Sequence, residues 1–239
     1  MYSKNLHTMK INKKAVKTFW DQQAKKSNYL RPEGISNLEE DEELLEKKIG
    51  LETKKIFSWI GNLSNKTVLD LGAGTGQWSL KFAKSAKSVI AVEFSKGMQD
   101  LAISEAKKQK INNIKYELCA AESFFIDEEI DIIWISGLLC YLHDEDCENL
   151  LSNCKKMISK NGRLILREPI GLQERFEIRE VYSEALKTKY SNTYRTSEEY
   201  FELFARHDFK KMRDEDMFEK GSDLNKWSET RLRIFEFQV

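Results

Sequence analysis

The chain has 239 residues, 41% of them hydrophobic, which suits one sizeable α/β domain with an added cap and is short for two independent domains. Lys plus Arg and Asp plus Glu both number 39, so no net charge draws the chain to nucleic acid or an anionic membrane. No apolar run approaches the roughly 20 residues that span a bilayer, and Met1-Tyr2-Ser3-Lys4-Asn5 lacks the apolar core of a signal peptide.

Ile11, Ala15, Val16, Phe19 and Trp20 share one helical face, which predicts a helix from about Lys10 to Ala24. Tyr29–Gly34, with its proline and glycine, breaks it. A second helix is predicted from near Leu38 to Ile60, burying Leu44, Leu45, Ile49, Ile56, Trp59 and Ile60. Its acidic front (Glu39 to Glu43) and basic back (Lys47, Lys48, Lys54, Lys55) suit the helix dipole. Residues 1–62 are therefore expected to form a helical lid region and residues 63–239 the main domain.

Val68-Leu69-Asp70-Leu71-Gly72-Ala73-Gly74-Thr75-Gly76 reads as a buried strand running into a glycine turn that opens a helix. From there strand-like runs (Thr67–Leu71, Val89–Glu93, Ile114–Leu118, Ile130–Ser136, Arg163–Arg167) alternate with helical ones (Gln77–Lys84, Lys96–Lys110, Glu145–Ile158). Such alternation means an α/β, doubly wound, mostly parallel sheet. A helix at Thr196–Arg206, with a Thr196/Glu199 capping box, precedes two closing strands at Phe209–Arg213 and Arg231–Val239. Pro169–Arg195 is too long for a simple connection and is expected to cap a substrate site. Cys119, Cys140, Cys147 and Cys154 form no C-x-x-C pair, so buried reduced thiols, no metal and a cytoplasmic location are expected.

Glycine-rich strand-to-helix turns hold nucleotide-like cofactors at the carboxyl edge of such sheets. A dinucleotide site wants G-x-G-x-x-G, but here the third glycine comes one residue early and Gln77 takes its place. No Gly-Lys-Ser/Thr follows, which excludes a P-loop. Asp70 puts a carboxylate beside the ligand, tolerable for a cationic cofactor and unfavourable beside phosphates. Asp70–Gly76 matches (D/E)-x-G-x-G-x-G completely, and at these residues the chain resembles the class I S-adenosylmethionine (SAM) methyltransferases. The resemblance is strong from about Thr67 to Arg167 and implies a seven-stranded sheet, SAM as cofactor and S-adenosylhomocysteine as product.

It also assigns residues. Asp70, Gly72, Gly74 and Gly76 would line the cofactor, and Glu93 would accept hydrogen bonds from both ribose hydroxyls. Phe94 and Met98 would flank the adenine, Ala121 and Glu122 would hold its edge, and Ser136, where the fourth strand exits toward the pocket, would also contact the cofactor. That exit lacks the (N/D/S)-P-P-(Y/F) of nucleic-acid amino-methyltransferases and the metal-binding aspartate of catechol-type enzymes. His143 is the candidate general base, since His7 lies in the N-terminal tail and His207 precedes a late strand; Tyr141 is the candidate positioner. Arg167, Arg175, Tyr194 and Arg195 suggest an anionic acceptor, although Glu174, Glu177, Glu180 and Glu184 could satisfy those arginines instead.

The expected activity is methyl transfer to oxygen, rather than nitrogen, of a small anionic metabolite, with no nucleic-acid or membrane partner. Leu139–Asp144 and Leu166–Pro169 resemble segments of methyltransferases of bacterial surface-glycan synthesis, which implies a phosphorylated or nucleotide-linked capsule precursor. An RNA methyltransferase and a non-catalytic SAM-binding protein are the rival readings.

Overall fold

The computed structural model describes residues 11–183 and 188–239; Lys10, His7 and Glu184 lie outside them. Helix α1 (Lys13–Ala24) opens on Asn12, whose side chain accepts from the Ala15 N–H. Where the sequence suggested only a break, Pro32 instead opens a short helix, α2 (Pro32–Asn37), at a position where its missing N–H costs nothing. Leu38 then takes the left-handed conformation, φ 51°, and ends it. The second long helix therefore starts four residues later than expected, as α3 (Glu42–Ile60), with Asp41 capping the Leu44 N–H at 3.0 Å.

Strand and helix then alternate as expected. They are β1 (Thr67–Leu71), α4 (Gln77–Ala83), β2 (Ser88–Glu93), α5 (Lys96–Lys108), β3 (Ile114–Leu118), β4 (Ile130–Ser136), α6 (Asp144–Met157) and β5 (Ile158–Gly171). After them come β6 (Phe176–Ser183), β7 (Thr188–Tyr194), α7 (Ser197–Ala205), β8 (Lys210–Asp216) and β9 (Thr230–Gln238). The main sheet runs β3-β2-β1-β4-β5-β9-β8, parallel from β3 to β5, with β9 antiparallel to both of its neighbours. The expected capping box closes the start of α7, Thr196 and Glu199 each accepting the other's N–H.

Both faces of the sheet are covered, so the central strands are apolar without alternation. Along β4, Ile133 and Ile135 join the core under α6 and α7, while Ile132 and Trp134 join the core with Trp59 of α3 and Trp78 and Phe82 of α4. The cap needs correction. β5 continues through Pro169 to Gly171, paired with β9 throughout, and the cap proper is an antiparallel hairpin of β6 and β7. Among the described residues no helix is long and apolar enough to cross a membrane.

Candidate active site

The carboxyl ends of β1, β2, β4 and β5 open into a cleft of about 1540 Å³. A single small-molecule site occupies roughly 300–1,000 Å³, so there is room for a cofactor and a second molecule side by side. The glycine turn forms one wall. Gly72, Gly74 and Gly76 have φ of 75°, 57° and 79°, a region closed to most side chains. A Cβ on Gly76 would stand 2.8 Å from the Ala102 Cβ, so this glycine lets α4 and α5 meet; unlike Gly72 and Gly74 it does not line the cleft.

Glu93, at the end of β2, faces the turn. One carboxylate oxygen accepts the Gly74 N–H and the other the Ser95 N–H, each at 2.8 Å. Asp70 is 2% exposed and accepts the Ser79 hydroxyl at 2.5 Å. Burial raises its pKa to about 7 against the Ser79 hydrogen bonds, and burial likewise raises that of Glu93. Two desolvated carboxyl groups on one wall form a site for a cationic ligand. Phe94, Ala121, Glu122 and Ser136 also line the cleft. Met98 does so while packing on Ala24 and Ile35, so it belongs to core and site at once. Glu122 is engaged by Lys13 at 2.8 Å, which ties α1 to this wall; Asp21 of α1 accepts the Ser95 hydroxyl at 2.5 Å.

The opposite wall is the turn after β4 together with the β6–β7 hairpin. Glu168, fully buried, accepts the backbone N–H groups of Leu138 and Leu139 at 2.7 and 2.9 Å and fixes that turn. The turn presents Tyr141, whose hydroxyl lies 3.3 Å from that of Tyr190 on β7. Asn192 donates its side-chain N–H to the Tyr190 hydroxyl at 2.6 Å, and its own Oδ1 is buried with no hydrogen-bond partner among the described residues. Trp20 meets Tyr141 edge-on at 5.6 Å from the α1 side. Burial holds the Tyr141 hydroxyl well above its ordinary pKa and pushes that of Tyr190 to about 12, so both are neutral donors and acceptors near pH 7.

Of the candidate catalytic and acceptor-binding residues singled out from sequence, two sit outside the cleft and the rest line it. His143 does not line the cleft: it starts α6, and its Nε2 is 3.1 Å from the Ile11 carbonyl oxygen. Arg195 is 2% exposed and donates to the carbonyls of Leu139 and Leu142 and to Asp144, so it braces the turn after β4 and cannot reach an acceptor. Arg175 lines the cleft but is held by Asp144, Glu177 and Glu199. Arg167 lines it too, paired with Glu52 and donating to the Ser136 hydroxyl at 3.0 Å. Tyr194 lines it, stacked on Phe176 at 4.5 Å. Cys119 is half-buried and lines the cleft, whereas the other three thiols are buried. Sequence reasoning passed over Asn192 and Glu168; the polar end of a cap strand and a carboxylate immediately before Pro169 were the available signals.

SAM fits this donor set. Asp70 and Glu93 suit its positive charge and ribose hydroxyls, and the turn is bare enough for close backbone approach. Residues 68–162 match the family model described as a methyltransferase domain. The phosphoethanolamine N-methyltransferase 1 of Triticum aestivum is 30% identical over 166 residues, covering 66% of this chain and 31% of that protein. The chain thus spans about a third of the length of the curated relatives it matches. Among solved structures, Haemonchus contortus phosphoethanolamine N-methyltransferase 1 with phosphoethanolamine and S-adenosylhomocysteine superposes with a TM-score of 0.70 at 20% identity, covering 100% of this chain and 52% of that one. The DhpI–SAM–HEP complex superposes with a TM-score of 0.65 at 12% identity, covering 96% and 99%. At those identities the likeness concerns the fold, and the fold is that of the class I methyltransferases.

Proposed function

We propose that the chain, whose fold is that of the class I methyltransferases, is a SAM-dependent methyltransferase that methylates the nitrogen of a small amine bearing an anionic group such as a phosphate. The observation that carries this reading is the cluster of half-buried Tyr141 and Tyr190 with Asn192 in the cleft wall, where the buried Asn192 carbonyl oxygen has no partner among the described residues. That oxygen can only accept, so it favours an acceptor group that brings hydrogen-bond donors, of which an amine offers more than a hydroxyl. The relatives named phosphoethanolamine N-methyltransferases support nitrogen over the oxygen expected from sequence, and a phosphorylated amine over a surface-glycan precursor.

Bound SAM supplies an already activated methyl group. What remains for the protein is alignment. Asp70 and Glu93 hold the cofactor's positive charge and ribose against the turn. The amine reacts as its free base, its ammonium proton having passed to solvent; Tyr141, Tyr190 and Asn192 accept hydrogen bonds from the remaining N–H groups and aim the lone pair at the cofactor side. Neither tyrosine ionises near neutrality, so both act as positioning groups rather than bases. The edge of Trp20 and the span of α1 shield the cleft from water, a lid role for the N-terminal region.

The test is incubation with methyl-labelled SAM and matched phosphorylated amines, phosphorylated alcohols and small RNAs, with mass spectrometry of the product. Label on the amine nitrogen is expected. Label on a hydroxyl or on RNA, or SAM binding without transfer to anything, would overturn the reading.

A further inference from the structure

Lys48 of α3 lines the cleft, and among the described residues no hydrogen-bond or ion-pair partner reaches its ammonium. Of the other cations at the cleft, Lys14 is exposed to solvent and Arg231 donates to the Trp227 and Thr230 carbonyl oxygens. Lys13, Lys17, Arg167, Arg175 and Lys226 each meet a carboxylate.

The charges facing Lys48 are Arg167, Lys226, Glu52 and Glu39. Counting Lys48 itself, that makes three cations and two carboxylates, and both carboxylates are already engaged. Glu52 pairs with Arg167, while Glu39 accepts from Lys226 and from the backbone of Glu40 and Asp41. One positive charge is left over. Arg167 is 8% exposed, and its Nε is buried with no hydrogen-bond partner among the described residues. Burial lowers the Lys48 pKa, the direction expected of an ammonium whose counter-charge is missing. Lys48 is half-buried, and partly desolvating an unpaired ammonium is costly unless an anion joins it.

We propose that Lys48 and the neighbouring edge of Arg167 form an oxyanion subsite at the carboxyl end of β5, taking the carboxylate or phosphate oxygens of a molecule bound in the cleft. The methyltransferase reading supplies two sources of this chemistry: the amino-acid carboxylate of the cofactor and the anionic group of the acceptor. In either case the subsite rests on that reading. Lys48 anchors one end of the ligand, and the reacting end lies toward Tyr141 and Asn192.

Lys48→Met keeps the length of the side chain and removes its charge; Lys48→Arg keeps the charge. Calorimetric titrations of both variants and the natural chain use three probes: S-adenosylhomocysteine, 5′-methylthioadenosine (the same nucleoside without the amino-acid carboxylate), and inorganic phosphate added to the S-adenosylhomocysteine complex. If the cofactor carboxylate is the anion, Lys48→Met loses about tenfold or more for S-adenosylhomocysteine and nothing for 5′-methylthioadenosine. If the acceptor supplies it, cofactor binding is unchanged and the phosphate affinity falls by that factor. Lys48→Arg should restore most of either loss. Unchanged affinities for all three probes, or equal losses for both nucleosides, overturn the subsite. Should the natural chain bind neither nucleoside, the methyltransferase reading itself fails, an outcome distinct from the failure of Lys48.

Discussion

Asp70 is a carboxyl group that burial holds at about 7, with no cation beside it among the described residues. Its free-energy consequences can be signed. The unfolded chain ionises this group near the ordinary 3.8, and the folded chain near 7. Between those values the folded state binds the extra proton, so stability is fully present below the lower value and is lost as pH rises through the higher one. A bound sulfonium and ammonium would reverse the penalty by favouring the carboxylate. Asp70→Asn should therefore melt above the natural chain at pH 8, by at least about 2–4 °C, the shift that 1 kcal/mol gives in a chain of this size. The gap should narrow toward pH 5, and SAM should raise the melting temperature of the natural chain more than that of the variant. Melting curves at both pH values check this; a gap independent of pH would contradict the assignment. Residues of this kind were legible in the sequence because the motif fixes their backbone as well as their type. The arginines were not. Arg195 was available to any acceptor on paper, and the fold hands it to Asp144 and two carbonyls on a distant segment.

Two elements build the acceptor wall, the turn after β4 and the β6–β7 hairpin, and they were unequally readable. The turn follows a strand whose apolar run ends at Ser136, so its place was clear, but which of its side chains enters the cleft depends on Glu168 gripping its backbone. Hence Tyr141 points in while His143 faces the Ile11 carbonyl. The hairpin escaped detection because its alternation slips between Ile178 and Val181, where Glu180 takes φ 49°. That irregularity scrambles the period-2 signal on which strand prediction depends. Steady-state kinetics with an accepted amine would separate the two candidates. Tyr190→Phe should lower kcat/KM about tenfold, the worth of one buried hydrogen bond at the acceptor. His143→Gln should leave both kcat/KM and its pH profile unaltered. A lost acid limb in the His143 variant would return the imidazole to the reaction.

On the scale of the whole molecule, a parallel sheet gathers at one edge residues that are far apart in the chain. Strand order β3-β2-β1-β4-β5 puts Asp70, Glu93, Ser136 and Arg167 around a single cleft. Apolar runs and glycine spacing made that edge legible, since helix and strand periods differ and the turn admits few residue types. Long-range pairings that close the site were not legible: Lys13 with Glu122, Asp21 with Ser95, and Glu52 with Arg167 leave no local pattern. The central claim is that this edge holds SAM against Glu93 and the glycine turn. Calorimetric titration with S-adenosylhomocysteine of the natural chain and of folded Glu93→Ala tests it most directly. Saturable binding that weakens about 10- to 100-fold in the variant, the worth of a charged hydrogen-bond acceptor, is the predicted result. Equal affinity in the two proteins, or no binding to the natural chain, would contradict it.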